Sequence, residues 1–144
     1  MRRVTTENQD NLRQWIAKEE GCDYPQETAC IGQEKDGKLI AVVGYNGFLP
    51  QSCQIHVAST DVYWLNKELL FAIFDYPFNK LKVKVIIAPI YKGNVKSLNL
   101  CRKLGFKQIA DIPYAHLYGD LVVMLMERNQ CKWLQQGESN EFSN

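Results

Sequence analysis

Residues 93–108 read GNVKSLNLCRKLGFKQ. Leucines and a cysteine recur there at helical spacing, and the run stops at Gly105. Glycine can take the left-handed backbone conformation that lets a chain leave a helix at once. Phe106 then packs beneath the helix end, and a strand begins. Asn94 is a good N-cap, because its side-chain oxygen can accept from a free first-turn amide. The stretch therefore predicts strand–helix–strand, with no room for a linker. It is also strongly positive. From Asn79 to Lys107 there are eight basic residues, Lys80, Lys82, Lys84, Lys92, Lys96, Arg102, Lys103 and Lys107, and no acid. Nine basic residues face all 16 acids in the remainder, a net of −7. A basic block at a strand–helix junction suits a polyanion, and an ordinary solvated face is the alternative.

The elements on either side complete the order. KVKVIIAPIY (82–91) reads as a strand ending at Pro89. DVYWLNKELLFAIFDYPF (61–78) reads as a largely buried helix, with Asp61 as N-cap and Pro77 near its end. SCQIHVAS (52–59) is a short strand. TACIGQEKDGKLIAVVGYNGF (28–48) is a hairpin turning at Asp36-Gly37. TENQDNLRQWIAKEEG (6–21) is a helix, with Thr6 and Gln9 as a capping box and Gly21 as its stop. MRRVT (1–5) suits an edge strand. FKQIADIP (106–113) and LYGDLVVMLMER (117–128) are two antiparallel neighbours. The order β-α-β-β-β-α-β-α-β-β predicts an α/β or α+β domain, a mixed sheet with helices on its faces. The fourth and fifth strands are expected to be parallel, joined by a right-handed crossover. One domain over residues 1–134 is expected, with a polar, flexible tail at 135–144.

Composition narrows the class. The chain has 144 residues, 46% hydrophobic and 23% charged, at net charge +1. That is an ordinary globular balance, with a single core. No apolar run reaches membrane-spanning length, so no membrane association is expected. MRRVTTENQDNLRQW has no apolar stretch behind its arginines, so a cytoplasmic location is expected rather than export. The five cysteines form no CxxC pair, and the two histidines lie far apart, so neither a metal site nor a disulfide framework is expected.

Two helix N-termini, near Asp61 and Asn94, fall beside the parallel strand pair. Free N–H groups and the helix dipole make such ends anion sites. The crevice at the carboxyl ends of the strands is the natural ligand position.

The stretch FAIFDYPFNKLKVKVIIAPIYKGNVKSLNLCRKLGFKQIADIP (71–113) resembles the second half of a GCN5-related N-acetyltransferase (GNAT). The pattern Asn94-x-x-Ser97-x-x-Leu100-x-x-x-Leu104-Gly105-Phe106 carries the likeness, set between two strands. Wording and spacing are similar to the ribosomal-protein and spermidine acetyltransferase branch and to short phage-encoded members. The resemblance covers about residues 28–134. It implies a GNAT-like sheet whose fourth and fifth strands splay, with acetyl-CoA as cosubstrate and an amine as acceptor. The backbone of Ile55, Val57 and Ser59 would bind the pantetheine arm like an extra strand. Amides from Tyr63, Trp64, Leu65 and Asn66 to Lys67 would face the pyrophosphate. Asn94, Lys96, Ser97 and Lys103 would border the cofactor. The chain departs from the family in two places. The glycine-rich pyrophosphate loop is replaced by STDVYWLNKEL, in which Tyr63 and Trp64 read more readily as core or rim aromatics than as phosphate ligands. Cys101 stands where many relatives have the tyrosine that protonates the leaving thiolate; it reads also as a buried helix cysteine.

The chemistry needs a base for the amine, a donor for the thioester carbonyl and a proton for the thiolate. His56 is the candidate base, since an imidazole titrates near neutrality. A histidine hydrogen-bonded across the sheet is the competing reading. Tyr45, Tyr114 and His116 are candidates for the acceptor side. Three function classes follow: an N-acetyltransferase acting on a primary amine; a degenerate GNAT that binds CoA or a protein partner; and a nucleic-acid binder, against which the near-neutral charge and lack of a recognised motif count. A homodimer through an exposed last strand and tail is a further expectation, as is host cytoplasm for a phage-encoded chain.

Overall fold

The computed structural model describes residues 1–134, and the expected polar tail lies outside them. The elements are β1 Arg2–Thr5, α1 Gln9–Glu20, β2 Ala29–Lys35, β3 Lys38–Leu49, β4 Ser52–Ser59, α2 Lys67–Asp75, β5 Val85–Tyr91, α3 Val95–Leu104, β6 Lys107–His116 and β7 Gly119–Glu127. A π-helical turn, Tyr76–Lys80, extends α2. One seven-stranded mixed sheet runs β1-β2-β3-β4-β5-β7-β6, with β4 and β5 its parallel pair. The predicted order and the parallel pair are both present. No described helix is long and apolar enough to cross a membrane.

Local chemistry explains the boundaries. The β2–β3 turn places Asp36 at φ 53° and Gly37 at φ 83°. Two positive values make the tight turn that matches strand twist. Asn8 caps α1, not Thr6: Asn8 Oδ1 accepts from the Asn11 amide at 3.2 Å. Gln9 instead stitches the helix to β2, donating to Cys30 O at 2.9 Å and accepting from Cys30 N at 2.8 Å. Asn66 caps α2, five residues later than expected, accepting from Leu69 N at 2.9 Å. Asp61 makes a separate turn by accepting from Tyr63 N at 2.8 Å. Gly105, at φ 110°, ends α3.

Helices cover both faces. On one, Leu12 and Ile16 of α1 bury against Cys30, Val42 and Ala58. On the other, Leu69, Ile73, Phe74 and Phe78 pack with Leu98 and Phe106 over the sheet. The Phe74 and Phe106 rings lie 6.2 Å apart, which ties α2 to the end of α3. Each such buried side chain contributes about 1.5–3 kcal/mol. Phe74→Ala is the single change that would open this layer, at about 3–5 kcal/mol.

Two expectations about strands change. β7 is not an exposed last strand: it lies between β5 and β6, and β6 forms the edge. β5 does not end at Pro89 but runs on to Tyr91, paired with β7 along its whole length. The reason lies in which way Pro89 faces.

Candidate active site

β4 and β5 pair only at Ser52↔Val85, Cys53↔Ile86 and Gln54↔Ile87. Beyond that they part. Val85 N donates to Gln51 O at 3.2 Å, so the amides of residues 85, 87 and 89 point toward β4. The next ladder bond would run from residue 89 to the carbonyl of Ile55. Pro89 has no N–H to give, so the ladder stops there. On the other strand, Thr60 N donates to Ile40 O of β3 at 2.8 Å. Alternation then turns the backbone of residues 59, 57 and 55 away from β3, into the opening. The Ile55 carbonyl and the main-chain groups of Val57 and Ser59 thus face a V-shaped crevice without a partner on β5. An extended chain could take the place of the missing strand.

α2 and α3 start beyond the wide end of that V. At α3, Asn94 Oδ1 accepts from Ser97 N at 3.2 Å, so Asn94 is a true N-cap. A Cβ at Gly93 would meet the Tyr91 ring at 2.5 Å, so a larger residue there requires that ring to move. Lys96 is exposed in the first turn. Lys103 is not beside it. Eight residues separate Lys103 from Val95, about 12 Å of helix at 1.5 Å per residue. There Lys103 and Arg102 offset the dipole at the C-terminal end. Lys80, Lys82 and Lys84 precede β5, at the closed end of the V, and Lys92 is paired with Asp111 at 2.6 Å. The basic window is therefore spread around the domain, and Lys96 is its nearest free member.

The loop before α2 is tied to β2 and β3. Gln33, fully buried on β2, donates to Trp64 O at 3.0 Å, and Lys35 pairs with Asp61 at 3.5 Å. Trp64 is 6% exposed and belongs to the core, not to a phosphate site. The Tyr63 and Trp64 amides are spent on Asp61, at 2.8 and 3.2 Å. Two of the five expected anion donors are lost to that turn. Leu65, Asn66 and Lys67 keep amides without a protein partner among the described residues. Glu68, in the first turn, opposes an anion there.

Tyr45 cannot touch a substrate. It is fully buried, and its hydroxyl donates to Ile73 O at 2.6 Å. In a continuous α-helix that carbonyl would take the amide of residue 77, and Pro77 has none. Burial holds the phenol well above its ordinary range, so it stays a donor. Cys101 is half-buried and packs against the core. Burial pushes its thiol up to about 11. An ordinary thiol titrates near ~8.5, so Cys101 is a weaker acid than the thiolate's conjugate acid and a poor proton donor to it.

His56 lies on the α1 face of β4. Its Nε2 sits 2.8 Å from Asn46 Oδ1 on β3, and its ring lies 5.3 Å from that of Tyr24. This is the cross-sheet hydrogen bond of the competing reading. Burial pushes the imidazole down to about 4. Nδ1 has no partner among the described residues and is not sealed from solvent. Tyr24 itself sits in the α1–β2 connection with Asp23 and Glu27, just after Glu19 and Glu20 at the end of α1; no basic residue lies between Lys18 and Lys35. Neither Tyr24 nor Asn46 carries a sequence signal, and only the fold brings them to His56.

The β6–β7 hairpin stands at the same end of the sheet. His116 stacks on Tyr91, centroids 4.8 Å apart, and Tyr118 closes the cluster at 6.0 Å from Tyr91. His116 Nδ1 accepts from Tyr118 N at 3.2 Å. Tyr114 projects into solvent, 91% exposed. Tyr91 and Tyr118 are members of this group that sequence spacing did not reveal.

Comparison with known proteins agrees with this geometry. The family model "Acetyltransferase (GNAT) domain" matches residues 1–107. No curated protein matches the chain. Among solved structures, dodecameric spermidine N-acetyltransferase from Vibrio cholerae superposes with TM-score 0.75 at 14% identity, over 94% of this chain and 97% of that one. The yncA protein of Salmonella typhimurium, solved with its cofactor acetyl-CoA, gives 0.71 at 14% identity, over 88% and 93%. N-acetyltransferase PseH from Campylobacter jejuni gives 0.63 at 17%, over 89% and 99%. At such identities the likeness is one of fold, and the family match carries the assignment: the chain is a GNAT acetyltransferase domain.

Proposed function

We propose that the protein transfers an acetyl group from acetyl-CoA directly to a primary amine. The observation that carries this reading is the β4–β5 opening, where pairing stops at Pro89 and the Ile55 carbonyl and the backbone of Val57 and Ser59 have no partner on β5. The pantetheine arm of acetyl-CoA is an extended chain with amide donors and acceptors, and it fits such an edge. The pyrophosphate fits less well, because only Leu65, Asn66, Lys67 and the first turn of α3 offer free amides or charge. Bound acetyl-CoA supplies an activated thioester carbonyl. The Val57 N–H is the donor available to polarise a carbonyl in the crevice. An imidazole held at about 4 does not deprotonate a free ammonium, so the acceptor enters as the neutral amine. His56 Nδ1 takes its proton as the C–N bond forms and passes it to solvent. The C–N bond forms, the C–S bond breaks, and solvent protonates the thiolate, since the Cys101 thiol holds its own proton. The acids of the α1–β2 connection, beside Tyr24, favour a cationic acceptor approaching from that side. Tyr114 and His116 would line its other wall.

Titration calorimetry with acetyl-CoA at two salt concentrations tests the reading. Micromolar binding that weakens with salt is expected. Absence of binding at either salt would overturn it and favour the second reading, a degenerate family member that engages a protein partner. The spent amides of Tyr63 and Trp64 are the observation behind that alternative. A homodimer, if formed, would use the β6 edge, where Ile109 and Ile112 are exposed.

A further inference from the structure

We infer that Asn46 is a positioning residue that fixes the tautomer of His56, holding the proton on Nε2 and leaving the Nδ1 lone pair open to solvent on the α1 face of β4. The catalytic use of this lone pair rests on the function proposed above, but the tautomer does not.

The inference starts from a buried polar chain under α1. Arg13 of α1, paired with Asp10, donates to Thr28 O at 3.1 Å. Thr28 is fully buried, and its Oγ1 accepts from Asn46 Nδ2 at 3.3 Å. Asn46 is 7% exposed, and its Oδ1 faces His56 Nε2 at 2.8 Å. The Asn46 amide nitrogen is turned to Thr28 Oγ1 and its carbonyl oxygen to the ring. A carbonyl oxygen only accepts, so Nε2 must carry the hydrogen. Nδ1 is then the one basic atom of the ring, and it is the nitrogen with no partner among the described residues.

Burying Thr28, Asn46 and His56 costs desolvation that apolar residues of similar shape would avoid. Along the same strand faces the sheet uses Val42 and Ala58 for packing under α1. The polar chain therefore does something that packing alone does not require. It holds one nitrogen and leaves the other free, on the strand whose opposite edge lines the V. Tyr24 closes over the ring and limits its rotation.

The test is a two-bond proton–nitrogen correlation spectrum of the full ¹⁵N-labelled chain near pH 7. The sequence has only two histidines, so H56Q assigns the signals. The pyridine-type nitrogen of His56 is expected at Nδ1 and the pyrrole-type nitrogen at Nε2. The reverse assignment in the wild-type chain would overturn the inference without any variant. Asn46→Asp should keep the wild-type pattern, because a carboxylate can only accept. If that substitution switches the pattern, Asn46 donates to His56 in the native chain and the inference fails. Asn46→Leu should give a mixture of both tautomers; an unchanged single tautomer would show that Asn46 does not set it. In turnover, Asn46→Leu should lower kcat by about 10- to 100-fold, the cost of a misplaced base, with the acetyl-CoA Kd unchanged and Asn46→Asp restoring rate. A chain that transfers nothing to any amine would remove the proposed function and leave the spectrum to decide the tautomer.

Discussion

Replacing Tyr45 with phenylalanine isolates one hydrogen bond. The hydroxyl donates at 2.6 Å to a carbonyl that Pro77 has left without its helical amide, in a fully buried place. Removing the donor strands that carbonyl, and an orphaned buried acceptor costs about 1–3 kcal/mol. The ring stays, so the packing loss is small. Unfolding entropy near 2.1 cal/mol/K per residue gives about 0.3 kcal/mol/K for a chain of 144 residues. One kcal/mol is then worth about 3 °C, and Tyr45→Phe should lower the thermal midpoint by about 3–10 °C. Calorimetric melting measures this directly, with acetyl-CoA titration as control. Binding and KM for the amine should not move, because the side chain has no access to the crevice. A midpoint within about 1 °C of wild type would refute the claim that this hydroxyl stands in for the missing amide. A raised KM at an unchanged midpoint would return Tyr45 to the substrate site.

Asn94→Ala removes the α3 cap and should cost about 1 kcal/mol in denaturant unfolding, while also weakening CoA binding; loss of stability alone would make Asn94 only a cap. His56 gives a pH signature. Its folded value, about 4, lies below the ordinary 6.5, so the unfolded chain binds more protons between those values. Wild type should therefore lose up to about 3 kcal/mol relative to His56→Gln as pH falls from 6.5 to 4, read from denaturant midpoints; parallel pH profiles would contradict the burial of the ring. Pro89→Ala restores a ladder donor opposite Ile55, worth about 0.5–1.5 kcal/mol, and should weaken acetyl-CoA binding roughly two- to tenfold by letting the strands close. Unchanged affinity would show that Pro89 does not keep the V open.

The element order was legible because each turn carries its own chemistry: Asp36-Gly37, Gly21 and Leu104-Gly105-Phe106 are local signals, read without knowing the sheet. The parallel β4–β5 pair followed from the helix between them. Failures came where two local solutions compete. Asp61 and Asn66 are both good caps, and burial of Trp64 against Gln33 decides between them. β3 is buried on both faces, so alternation could not say which side Tyr45 takes. Pro89 looked like a strand end because Pro commonly ends pairing; here it ends pairing on one side only. Of the site, the cap at Asn94 was readable from its own side chain, while the crevice edge at Ile55–Ser59 came from matching the family pattern. The partners of His56 come from the α1–β2 connection and from β3, and no spacing rule relates them.

The crevice is best understood as a strand pair prevented from finishing. β5 has a complete partner in β7, from Val85↔Glu127 to Tyr91↔Leu121, so it stays straight and ordered without β4. β4 is paired with β3 on its other side, continuously from Gln54↔Asn46 to Ser59↔Ala41. Each strand is therefore held rigid by its outer neighbour while the inner edges face each other unpaired. A missing N–H at Pro89 removes the first bond that would draw them together. Unpaired main-chain groups in a half-buried place are costly unless something satisfies them. A ligand with its own amides satisfies them at a smaller entropic cost because the edge is already in place. On this view affinity depends on the backbone, and the side chains around it decide which amine can approach. The opening between β4 and β5 therefore keeps its form independently of the loop before α2 and of the side chain at Cys101.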